Sequence, residues 1–196
     1  MSVRERSKDL SRRLSATLSD ISFPICYRQF RGKTIVSTQG TITDNYSDIY
    51  TRAYEQGLSI RELAAGQGVI ERGDVIFRIT EDKVTPRSEE DEIYKSIYRW
   101  GTIGINRNAT QVSGASVDWS NIEPGNRIRF RSQGTFHRIA SILNANSQLS
   151  LSEAYVQATI LAASAATYHI YEPYDVVGFE KRMSQSEWFC QCRGIK

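Results

Sequence analysis

The chain has 196 residues, of which 40% are hydrophobic and 24% charged, with a formal net charge of +3. This is ordinary globular composition, enough for one large domain or two small ones, and it leaves no room for long low-complexity linkers. No run approaches the roughly 20 apolar residues of a membrane span, and the first residues lack the apolar core of a secretory signal. We therefore expect a soluble intracellular product with no membrane partner.

The charge is unevenly spread. Residues 1–33 carry eight Lys/Arg against three Asp/Glu, whereas residues 34–100 carry eight against twelve. Residues 102–171 hold five arginines, no lysine and three acids. A basic arm of this kind suits nucleic acid or an acidic protein surface, or is simply a solvated helix face.

Leu10, Leu14, Leu18 and Ile21 recur at helical spacing, with Arg6, Lys8, Arg12 and Arg13 largely off their stripe. This predicts an amphipathic basic helix over about residues 3–20, within an N-terminal arm 1–24, whose apolar stripe must dock on the body or on a neighbour. From Tyr27 the period changes to two. KTIVSTQ and DIYTRAYE read as strands. Ser59 and Glu62 stand in capping-box spacing ahead of Gly66, so one or two helical turns are expected over 59–65. GDVIFRI is a strand, TEDKVTPRSEEDE a polar loop, and IYKSIYRW a further strand. From Thr102 to Tyr171 only strand and turn signals occur, and YDVVGFEKRMSQSEWFCQCR reads as a hairpin. The predicted fold class is mainly β: a small β-barrel or sandwich with a second β-domain inserted, plus the N-terminal amphipathic α-helix.

Residues 71–79, ERGDVIFRI, and 123–131, EPGNRIRFR, repeat one pattern: an acid, a turn at Gly, then a strand. Gly73 and Gly125 can take positive φ without steric cost, and Asp74 and Asn126 suit the next turn position. Alternation places Val75, Phe77 and Ile79 on one face of the first strand. In the second it places Ile128 and Phe130 opposite Arg127, Arg129 and Arg131. That arginine row is either a solvated strand face or a contact surface for phosphates or carboxylates, both of which match the guanidinium fork.

Motifs for catalysis are missing. The chain has two histidines, His137 and His169, both inside alternating strands. Its three cysteines, with Cys190 and Cys192 one residue apart, suit neither a disulfide framework nor a zinc site and are expected to be reduced core or groove residues. EEDE at 89–92 reads as solvated acids before it reads as a cation site. GQGVIERG at 66–73 lacks the Lys-Ser/Thr and helix of a phosphate loop, and no G-x-S-x-G elbow occurs. We expect no enzymatic activity, no metal and no cofactor.

Between residues 111 and 171 the order is V-x-G (Val112–Gly114), Trp119, P-G-N-x-I-x-F (Pro124–Phe130), HRIASI, LSL, Tyr155 and a closing Y-x-I at Tyr168. This resembles a small β-domain common in the neck and tail proteins of tailed bacteriophages. The flanks resemble head-completion (stopper or connector) proteins: the strand Gly73–Ile79, Pro86, Asp91 with Ile93, the Y-x-V-V strand Tyr174–Val177, and the final strand Trp188–Arg193. In that family the acidic element and the Y-x-V-V strand are close in sequence. Here residues of about 100–172 intervene, so we expect an inserted β-domain, 101–171, within a discontinuous host of 25–100 and 172–196. A single sheet running unbroken through positions 95–175 would count against that insertion.

The resemblance implies a structural virion protein assembled in the host cytoplasm and located in the neck, at the head–tail interface. It would form a homo-oligomeric ring, a hexamer or dodecamer, between portal or adaptor and tail proteins, helping to retain packaged DNA in the channel and to dock the tail. The docking elements would be Leu10, Leu14, Leu18, Arg12 and Arg13. Lys83, Arg87, Glu90 and Asp91 would face the channel or a neighbour, and Arg127, Arg129 and Arg131 a partner or DNA. A nucleic-acid-binding β-barrel module is the alternative from another class; a tail-terminator or baseplate subunit is the alternative from the same one. Deleting residues 1–20 is expected to abolish attachment to the portal while leaving a folded β-body, measured by co-sedimentation and circular dichroism.

Overall fold

Apolar residues alternating with polar ones, between turns rich in Gly, Asn and Ser, produce strands wherever the chain is placed. The structure, a computed structural model, describes residues 22–35, 42–57, 74–80, 84–130, 134–161, 167–182 and 187–195. The strands are β1 (Phe23–Ile35), β2 (Ile42–Gly57), β3 (Val75–Thr80), β4 (Glu92–Tyr98), β5 (Thr102–Ile105), β6 (Gln111–Ala115), β7 (Arg127–Phe130), β8 (Phe136–Asn144), β9 (Gln148–Leu151), β10 (Tyr168–Arg182) and β11 (Glu187–Gly194).

The expected fold class needs correction. The described residues are all β, eleven antiparallel strands with no helix among them. The only helical periodicities in the sequence, residues 3–20 and 59–65, lie outside the described residues.

The chain separates into two units, Met1–Lys95 with Tyr174–Gly194, and Ser96–Pro173 with Ile195–Lys196. In the first, hydrogen-bonded neighbours run β11-β3-β2-β1-β4-β10, and β10 pairs back onto β11. Six strands thus close into a barrel, which leaves no strand edge exposed along the closed ladder. Ile25, Tyr27, Phe77, Ile93, Val176 and Cys190 fill it. Phe77 meets Phe23 and Tyr174 edge-on, with ring centroids 5.8 and 5.0 Å apart. Two buried carboxylates are paired on the β3–β11 side: Asp74 with Arg193 at 3.1 and 3.2 Å, and Glu187 with Arg78 at 2.6 Å. Burial without such partners would cost several kcal/mol per ion.

In the second unit the order is β10-β7-β8-β9-β6-β5. Strand β8 serves two ladders: Phe136–Arg138 pair β7, while Ile139–Asn144 pair β9 through two register shifts. Bulges of this kind bend a strand and let it turn a corner between ladders. The core holds Trp119, Tyr155, Tyr168, Phe130, Ile128 and Ile139. Trp119 Nε1 donates to Tyr168 Oη at 3.0 Å, and Tyr168 Oη donates to the Trp100 carbonyl at 2.7 Å, so both buried polar groups are satisfied.

The expected bounds were 25–100 with 172–196 and 101–171, and the chain divides between Lys95 and Ser96 and between Pro173 and Tyr174. Strand β10 spans the second of these positions. Its residues Tyr168–Tyr171 pair β7 and its residues from Tyr174 onward pair β11. Proline lacks the N–H that a ladder needs. Pro173 is tolerated because it falls between the last pair with β7 and the first with β11, where neither ladder calls on its nitrogen.

Gly101 has φ +82°, and a Cβ there would lie 2.5 Å from the Ser116 carbonyl oxygen and 2.7 Å from that of Ala115. Gly32, with φ +108°, faces open space. Gly101→Ala is expected to cost about 2–3 kcal/mol and Gly32→Ala only about 1 kcal/mol, read from denaturant unfolding followed by tryptophan fluorescence.

Candidate functional site

Three features stand out: a buried carboxylate at the root of a hairpin, the hairpin itself, and an arginine-bearing sheet face. The carboxylate is Asp91, third acid of the EEDE run. It is 1% exposed. Its Oδ2 accepts from the Tyr27 hydroxyl at 2.6 Å and from the Arg87 N–H at 3.1 Å, with Ser88 N–H more distant at 3.5 Å. Its Oδ1 accepts from the Phe30 N–H at 2.7 Å. The Asp91 carbonyl accepts from the Val176 N–H at 3.0 Å. One residue thus ties β1, the segment before β4, and β10. Burial raises the Tyr27 phenol far above its ordinary pKa, and the bond to Asp91 adds to the shift, so Tyr27 stays a donor at any ordinary pH.

Phe30 is available to Asp91 because the β1–β2 register shifts between Phe30 and Gly32. Beyond that bulge the hairpin leaves the barrel. Strand β1 pairs β4 only over Ile25–Arg28, and β2 pairs β3 only over Ala53–Gly57. The remaining stretch, 29–35 with 42–47, is a two-stranded ribbon with no third strand among the described residues. Arg28 holds its base, donating to Asp48 at 3.1 Å, Glu92 at 2.9 Å and Tyr94 Oη at 2.9 Å. Its guanidinium also lies between the rings of Tyr46 and Tyr94, 4.3 and 5.0 Å from their centroids. At the far end Ile35 and Ile42 are cross-strand partners, 70% and 64% exposed.

The third feature lies in the second unit. Ile128 and Phe130 of β7 point into the core, so Arg127 and Arg129 point outward. Register sets two rows across β10, β7 and β8: Tyr171–Arg127–Arg138 and His169–Arg129–Phe136. Arg127 and Arg138 therefore stand directly opposite on adjacent strands. Arg127 also donates to the Gly125 carbonyl at 3.1 Å, and Arg129 lies 5.7 Å from the Phe136 ring centroid. Phe136 meets Tyr171 edge-on at 5.4 Å, and His169 stacks on Tyr171 at 6.0 Å. On the core side of β8, His137 packs against Phe130 and Tyr155, and burial lowers its pKa.

The expected site residues thus divide. Leu10, Leu14, Leu18, Arg12, Arg13, Lys83 and Arg131 lie outside the described residues. Arg87 and Glu90 are surface residues, and Glu90 is 3.7 Å from Lys33. Asp91 does not face a channel or neighbour, because its carboxylate is turned inward onto four N–H and O–H donors. Arg127 and Arg129 share a face as expected from alternation, but half-buried rather than freely solvated. Sequence reasoning missed Arg138, Phe136 and His169 because only strand register brings them beside β7. It also missed the Ile35–Ile42 pair, although two isoleucines on either side of the short Gly-containing sequence VSTQGT were a usable signal. The three thiols are buried and not in disulfides, and burial pushes Cys190 up to about 12 and Cys192 upward as well, which makes both poor nucleophiles. Among the described residues no group of His, Cys, Asp or Glu is placed to hold a metal ion.

Asp91→Ala strands several buried donors and is expected to cost about 3 kcal/mol or more. Tyr27→Phe removes one of them and should cost about 1–2 kcal/mol. The pair should be non-additive in a double-mutant cycle read by denaturant unfolding. Comparison with family models, curated proteins and solved structures gave no match.

Proposed function

We propose that this protein is a structural assembly subunit, a head-completion or neck component of a tailed bacteriophage that forms a ring between portal and tail. The observation that carries the reading is the last described pair of the ribbon, Ile35 and Ile42, paired across the strands and largely exposed. A two-stranded ribbon is marginal by itself, and large exposed apolar side chains on it gain by being covered. The base is held differently. Asp91 and Arg28 grip it through many hydrogen bonds, so the ribbon leaves the barrel on a rigid root. A firmly rooted ribbon that carries an exposed apolar pair suits a heterologous contact, in which each subunit inserts into its neighbour and the last meets the first. Repetition around a ring multiplies a modest contact into a durable one. The phage placement itself rests on the motif resemblance at Val112–Gly114, Pro124–Phe130 and Tyr174–Val177.

The test is the purified chain, sized alone and with portal rings of its parent particle by negative-stain microscopy and light scattering. A ring stacked on the portal is expected. Ile35→Ser combined with Ile42→Ser should leave the monomer folded, since both side chains are exposed, and should abolish the ring. A chain that ignores the portal, or a ring that survives the double substitution, overturns the reading.

A further inference from the structure

Arg127 and Arg138 are direct cross-strand partners. Their Cβ atoms are therefore about 5 Å apart, a spacing at which like charges destabilise a sheet. Neither guanidinium meets a carboxylate among the described residues. Arg129 adds a third positive charge in the next row, between His169 and Phe136. Between Arg127 and Arg138 no carboxylate of the described residues offsets this repulsion. A polyanion laid across the face would remove it.

Charge alone would admit an acidic protein surface as readily as a nucleic acid. The rings decide between them. Phe136 and His169 flank Arg129 in the same row, both only partly buried, on the face that carries the arginines. Tyr171, buried in the neighbouring row of the same face, packs edge-on to Phe136 and stacks with His169. Arginines interleaved with accessible flat rings are what an unpaired polynucleotide uses, with phosphates on the guanidinium groups and bases on the rings. A carboxylate surface has no use for the rings. We propose that the outer face of β10, β7 and β8 binds single-stranded nucleic acid, with Arg127, Arg129 and Arg138 on phosphates and Phe136 and His169 stacking on bases.

The proposal is independent of ring formation and is tested on the free, full-length protein. The measurement is fluorescence anisotropy of a labelled oligothymidylate of about 12 nucleotides, titrated at several salt concentrations. Three phosphate contacts predict a slope of log K against log salt of about −2, and Arg127→Ala or Arg138→Thr should each lower its magnitude by about 0.7. Phe136→Leu keeps the apolar volume but removes the stacking ring, so binding should weaken about tenfold at unchanged slope. The melting temperature of Arg138→Thr should hold or rise, because a like-charge pair has been relieved, and this separates lost binding from lost fold. Three results would overturn the proposal: no binding at low salt, a slope indifferent to the arginine substitutions, or polyglutamate of equal length binding as tightly as the oligonucleotide. The last would assign the face to an acidic protein.

Discussion

The first unit depends on a single buried carboxylate. Asp91 stands in a run of four acids, yet it alone among them is withdrawn from water and met by donors from two parts of the chain. Hydrogen bonds to a charged group are worth roughly 1.5–3 kcal/mol each, against a total stability of about 5–15 kcal/mol for a typical domain. The reach of Asp91 explains the hairpin's geometry as well. The Phe30 N–H serves Asp91 at the bulge between Phe30 and Gly32, and the ribbon departs from that point.

The contrast with Arg28 is instructive. Its ion pairs with Asp48 and Glu92 have good geometry, but the side chains are about one-fifth exposed, so water screens them. Its stacking between Tyr46 and Tyr94 fixes orientation more than it adds stability. Asp91 holds the root together; Arg28 aims what grows from it.

The repeated Gly-Asp and Gly-Asn openings show one local solution put to two uses. In the second copy the Asn126 N–H reaches the Glu123 carbonyl at 3.2 Å, and its side chain accepts from the Glu123 N–H at 2.9 Å. Pro124 then Gly125, at φ +100°, is the signature of a type II turn. In the first copy the equivalent Asp74 instead holds Arg193, a residue 119 positions away. A neutral amide suffices where the partner is local backbone. A carboxylate is needed where the partner is a guanidinium from the end of the chain. Among the described residues, the exposed Ile35–Ile42 pair and the opposed arginines of β7 and β8 each work against local stability.

Period-two alternation and turn glycines were legible along the chain, because each depends on neighbours within a few residues. GDVIFRI and RIRF were identifiable as strands with the correct faces inward, and Cys190 and Cys192 as core thiols. Register was not legible. That Arg138 faces Arg127, that Ile35 faces Ile42, and that β10 runs through Pro173 from one ladder into another are all decisions of pairing between distant strands. Alternation fixes which side a residue faces, never which residue stands opposite. The clearest case is SEEDEIY, where four adjacent acids are equivalent in sequence. Only the closed barrel, by bringing Tyr27 and Phe30 to one of them, turned Asp91 from a solvated charge into the group that holds the unit together.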